Sequence, residues 1–145
     1  MTRLHLPAAD LTTGPAAGAR TWTITLPAGL PLLNANGRLH HAPRARLTAA
    51  IRAAGKHATE AAGVPALSRA HVFGILHPAT RGRRDPANWY PSFKAFVDGL
   101  VDAGVLPDDD DTHLVGPDMR LGPVVKGGQL QLLVIELPPV KAVGR

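Results

Sequence analysis

Residues 83–111 read RRDPANWYPSFKAFVDGLVDAGVLPDDDD, and this stretch decides the fold. Phe93, Phe96, Val97, Leu100 and Val101 recur at helical spacing, which predicts a helix over 91–103 with one face in a core. Pro91 suits a first helical turn and Gly104 the position just past the end. Lys94, Asp98 and Asp102 stand four apart on the opposite side. Before the helix, residues 71–77 (HVFGILH) read as a buried strand. After it, Leu114-Val115 begins another short strand candidate. The unit is therefore strand–helix–strand.

Working outward, Trp22, Ile24 and Leu26 alternate with Thr21, Thr23 and Thr25, the pattern of a half-buried strand. Pro27 and Gly29 end it, and Asn36-Gly37 carries turn chemistry in the loop over 30–43. A helix is predicted over 44–62, with Leu47, Ile51, Ala54, Ala58 and Ala61 as its apolar stripe. Gly63 and Pro65 stop it, and Gly55 weakens it by about 1 kcal/mol relative to Ala. Residues 130–137 (LQLLVIEL) are apolar on both faces and read as a central strand, entered through Gly127-Gly128. The order is strand, helix, strand, helix, strand, strand. It predicts a small single-domain α+β fold, a mixed β-sheet with helices packed on one face, over 20–140. Residues 1–19, rich in Ala, Gly, Pro and Thr, read as a flexible N-terminal arm.

The chain has 145 residues, a net charge of +5 and no cysteine. One domain with a substantial core is expected at this length. Disulfides and thiolate metal sites are excluded. No apolar run approaches the roughly 18 residues of a membrane span, and no signal core follows the N-terminus. A cytoplasmic protein with no membrane contact is the simplest inference. The basic balance favours a polyanionic partner, nucleic acid first among them.

Against that background, seven of the eleven acidic residues fall between Asp85 and Asp111. A basic chain that gathers its carboxylates in one segment suits metal-dependent chemistry on nucleic acid. Two-metal nucleases need several carboxylates around ions about 3.5–4 Å apart, and a nearby Lys can polarise the attacked phosphate. A 13-residue helix spans roughly 20 Å. Asp85 and the run 108–111 would thus lie near opposite ends of it unless the flanking loops fold back. The plainer alternatives are a solvated acidic turn at 108–111 and a simple i,i+4 pair at Lys94 and Asp98. The D-x-D-x-D-G pattern of an EF-hand is absent.

The segment D-P-A-N, the helix with K-x-x-x-D-x-L and the following A-G-V-L-P-D-D resemble the RusA family of Holliday junction resolvases. The resemblance is specific over about 83–121. Asp85 and Asn88 match the family's D-x-D-N, Lys94 and Asp98 its helix, and two residues of 108–111 its D-D pair. It implies a Mg²⁺-dependent homodimer (Mn²⁺ as a substitute) that nicks opposing strands of a four-way DNA junction, in recombination or repair. Asp85, Lys94, Asp109 and Asp110 would be the catalytic residues, and Asp85, Asp109, Asp110 and Asp111 the metal ligands. The implied fold is a mixed sheet with helices. Two departures stand out: Ala87 replaces the second carboxylate of D-x-D-N, and three extra residues separate Asn88 from Lys94.

Arg81, Arg83 and Arg84 precede Asp85 and would meet DNA phosphates, with Asn88 beside them. Arg38, His40, His41, Arg44 and Arg46 form a second basic stretch, from which Arg44 and Arg46 are the candidate DNA contacts. His113 suits a surface or strand-end role. Trp89 and Tyr90 could stack on an unpaired base or pack in the core. Two other classes stay open: a non-catalytic junction- or DNA-binding protein with a decayed metal site, and an interaction protein unrelated to DNA.

Overall fold

A computed structural model describes residues 18–37 and 39–140. The expected arm over 1–19 and Arg38 therefore lie almost wholly outside the described residues. The elements are β1 (Thr21–Thr25), α1 (His41–Ala61), β2 (Arg69–His77), a 3₁₀ turn (Pro86–Trp89), α2 (Tyr90–Asp102), β3 (Leu114–Leu121) and β4 (Gln129–Leu137). The four strands form one mixed sheet in the order β1-β4-β2-β3. β4 pairs antiparallel with β1 and β2, while β3 pairs parallel with β2. The fold is the expected small α+β architecture, with β4 an interior strand.

Both helices bury their apolar stripes on one face of the sheet. Ile51 of α1 and Phe93, Phe96, Val97 and Leu100 of α2 join Ile24, Val72, Leu132 and Val134 in the main core. Period-2 alternation sends Phe73, Ile75 and Ile135 to the other face, where they form a second cluster with Ala19 and Leu133. Gly74, in the middle of β2, lets Phe93 lie directly on the sheet. A Cβ there would meet the Phe93 ring at 2.6 Å.

The expected stripe of α1 holds at Ile51, with Leu47, Ala54 and Ala58 packed against the core, but the deepest burial is shifted. Ile51, Gly55 and Thr59 are its buried residues, whereas Ala61 is exposed. The reason is the second helix. A Cβ on Gly55 would stand 3.0 Å from the Phe96 ring, and one on Gly99 would stand 2.4 Å from the Arg52 carbonyl oxygen. The two glycines let the helix backbones touch, a gain in packing that outweighs about 1 kcal/mol of lost helix propensity. Arg52 pairs with Asp102 at 2.6 Å and seals the same contact. β3 begins at Leu114 as expected and runs to Leu121, through a register shift between His71 and Phe73 in its pairing with β2.

β2, α2 and β3 form a parallel crossover, which sets α2 against the strands with its N-terminus near the carboxyl end of β2. Position 30–37 is pinned to that end. The buried Ser92 hydroxyl accepts from Leu33 N–H at 2.6 Å and donates to Leu33 O at 2.8 Å. Ala35 N–H donates to Asn88 O at 2.6 Å.

Candidate functional site

Helical spacing places Lys94 and Asp98 on one stripe of α2, and the chain beyond the helix returns to meet them. Gly104, at φ +83°, turns the backbone. Val105 and Leu106 are then buried, and Val105 O accepts from Leu67 N–H at 2.7 Å. This anchors the loop against the core and aims the acidic run backward along the helix. Asp109 Oδ2 reaches Lys94 Nζ at 2.5 Å, and Asp98 Oδ1 meets the same ammonium at 2.7 Å. The loop thus does fold back, far enough for Asp109 to reach the ammonium beside Asp98, about one turn before the end of α2.

Burial alone would weaken the Lys94 ammonium. The hydrogen bonds and charges of Asp109 and Asp98 outweigh it and hold the lysine above the ordinary lysine range. The hydrogen bond from Lys94 likewise holds Asp109 below the usual carboxylate range, despite partial desolvation. The result is one ammonium gripped by two carboxylates from separate segments, at a position 44% exposed on the lysine side chain.

The other predicted residues are placed differently. Asp85 caps the 3₁₀ turn, accepting from Ala87 N–H at 3.0 Å, and is exposed. It makes no hydrogen bond or ion pair with Lys94 or Asp109. Asp110 turns to its own loop, where Thr112 Oγ1–H donates to it at 2.6 Å. That bond depresses its carboxyl. Asp111 is exposed. His113 takes the strand-end position, its Nδ1 at 3.0 Å from Ser68 O. Asn88 is half-buried in the 3₁₀ turn.

Arg81 and Arg83 are exposed on the loop before Asp85. Arg84 folds back to donate to Thr80 Oγ1 at 2.7 Å and to Thr80 O at 3.3 Å. Arg44 and Arg46 sit in the first turns of α1. β1 and β2 both pair antiparallel with β4 and so run parallel to each other. α1 and α2 therefore both return from the carboxyl end of a strand. The chain enters α1 six residues after Ala35, whose N–H bonds Asn88 O, so Arg44 and Arg46 start from the same end of the sheet as residues 81–84.

Asp98, which the sequence placed on the helix with Lys94, is the second carboxylate on that ammonium. Its signal was the i,i+4 spacing to Lys94; what was missing was the knowledge that a third residue shares the ammonium. The donor set suits a divalent ion in kind. Two hard carboxylates already converge on one cation, and Mg²⁺ is often held by one or two carboxylates plus waters and substrate phosphate. Among the described residues, no group of three or more His, Asp or Glu is gathered for a metal. No described helix is long and apolar enough to cross a membrane. Neither protein-family models nor curated proteins give a match to this chain.

Proposed function

We propose that the protein is a Mg²⁺-dependent, structure-selective endodeoxyribonuclease of the RusA type, a cytoplasmic homodimer acting on four-way DNA junctions. The observation that supports it is the meeting of Lys94, Asp98 and Asp109. These positions come from two segments and match the helix and the D-D pair of the family signature. The basic loop before Asp85 supplies the complementary charge for a phosphate backbone.

In this reading Lys94 carries the positive charge that stabilises the attacked phosphate. Asp98 and Asp109 hold that ammonium in place and are the residues that would share a Mg²⁺. When bound, the ion acidifies a water and neutralises the leaving oxygen. Arg81 and Arg83 grip the flanking phosphates. The test is cleavage of a synthetic four-way junction in Mg²⁺ or Mn²⁺. Asp85→Asn is expected to bind the junction without cutting it. Binding without cleavage by the wild type sinks the enzyme reading.

One observation favours a second reading. Ala87 stands where the family has a carboxylate, and the Lys94 ammonium occupies the space between Asp98 and Asp109. A non-catalytic junction-binding protein would look the same. Ala87→Asp separates the two: restored or greatly increased cutting marks a decayed metal site.

A further inference from the structure

A cavity of about 260 Å³ opens at the carboxyl end of β2, between the loop at Leu30–Leu32 and the loop that carries Arg84. It does not include Lys94, Asp98 or Asp109, and nothing in the proposed chemistry uses it. Its position is the one where ligands commonly dock on open sheets with parallel crossovers, outside the carboxyl ends of the strands. Three features describe what it would take.

The walls are largely apolar. Leu30, Pro31, Leu32 and Pro78 line it together with the half-buried Trp89. Ser92 pins the Leu30–Leu32 wall through Leu33, so the slot is preformed. The volume lies just below the roughly 300–1,000 Å³ of pockets that enclose whole small molecules, which suits one planar ring system. Glycines form the remaining edge: Gly29 N–H donates to Gly128 O at 2.9 Å, leaving no side chain to block entry.

The rim is cationic. Arg84 lines the cavity, and its guanidinium hydrogen-bonds neutral oxygens of Thr80 and Arg83. Arg81 and Arg83 stand exposed on the same loop. Among the described residues, none of these three arginines is paired with a carboxylate. An apolar slot for a flat ring beside unneutralised guanidinium groups matches a nucleotide: base inside, phosphate at the rim.

We infer that this cavity is a subsite for a single unpaired DNA base, stacked on Trp89, with its phosphate against Arg84. The inference rests on the DNA-directed reading above and deepens it. Asp85 lies between Arg84 and Trp89 in sequence, so an extruded base here would tether the neighbouring strand beside that carboxylate. Taking a base from the stack costs least at a branch point.

The test uses the full chain carrying Trp22→Phe, which leaves Trp89 as the reporting tryptophan. Two single-stranded oligonucleotides of equal length and charge are compared, one with bases and one abasic. Base–aromatic stacking predicts quenching of Trp89 by the first alone and about tenfold tighter binding of it. Ala79→Phe, which adds a ring at the exposed lip, is expected to remove that preference while leaving salt-dependent binding. Equal affinity for both strands with unchanged Trp89 emission overturns the subsite. If a four-way junction is nonetheless cut, the nuclease reading survives that loss. If base-dependent quenching appears without any junction cleavage, the subsite stands and the nuclease reading falls. No binding to any DNA overturns both.

Discussion

Lys94 and Asp109 are fifteen residues apart, one in a helix and one in the loop beyond it, yet their charged groups meet at 2.5 Å. The contact measures how far the chain reverses after α2. It also selects one aspartate from a run of four, since Asp110 is turned into its own loop by Thr112. Both partners keep solvent contact, at 44% and 31% side-chain exposure. The pair is therefore worth far less in stability than its short distance suggests.

A double-mutant cycle gives that worth. Lys94→Met and Asp109→Asn should each cost about 0.5–1 kcal/mol in urea unfolding, with a coupling inside the range of partly exposed pairs. In the nuclease reading the same substitutions abolish junction cutting while shifting the urea midpoint little. A coupling above about 3 kcal/mol would mean that the pair behaves as a buried one.

Stability should fall in acid. The hydrogen bonds from Arg52, Lys94, Thr112 and Arg20 hold Asp102, Asp109, Asp110 and Glu136 respectively below their ordinary carboxylate ranges. Folding therefore releases protons from these groups. Their stabilising contribution is complete above the unfolded carboxylate values of about 4 and is lost as pH drops through the lower folded values. Thermal melts from pH 7 to pH 3 should be flat at first and then decline. Asp109→Asn should show a shallower decline than the wild type.

Gly99→Ala sets helix propensity against packing. Propensity alone predicts a gain of about 1 kcal/mol. The new Cβ, however, would stand 2.4 Å from Arg52 O and 2.7 Å from Lys56 N, both backbone atoms of α1. The helices must part, and a net loss of about 1–3 kcal/mol is expected. A stabilised variant in urea titration would contradict the close helix contact.

Ser92→Ala removes a hydroxyl that serves both the N–H and the C=O of Leu33. Leaving buried backbone groups unmet costs about 1–3 kcal/mol. Amide hydrogen exchange should show faster exchange at Leu33 and its loop, with α1 little affected.

If the basic loop meets phosphates, its charges set the salt dependence of DNA binding. Replacing both Arg81 and Arg83 by Ala should reduce the slope of log K against log salt by up to about 2. Arg46→Ala, in the first turns of α1, reports separately whether that basic stretch also meets phosphate. Unchanged slopes in all three positions would remove the arginines from the interface.

Local patterns were legible in the chain itself. Alternation in β1, apolar runs in β2 and β4 and period-3.6 spacing in both helices marked these elements to within a few residues, and Gly104 and Gly63 marked where helices stop, because these signals depend on neighbours in sequence. The span of β3 was not legible: its pairing with β2 comes from a partner over forty residues away and passes through a register shift. Gly55 looked like a weakness and proved to be a contact, since only the second helix shows what a Cβ would strike. The same limit applies to the acidic segment. Its composition marked carboxylates near a lysine, but four adjacent aspartates are equivalent in sequence. Burial of Val105 and Leu106 sets the loop's direction, and that direction brings Asp109 to Lys94 while leaving Asp85 at the far end of the helix. Charge and periodicity are properties of the chain; which charges meet is decided by the core that the loop is anchored to.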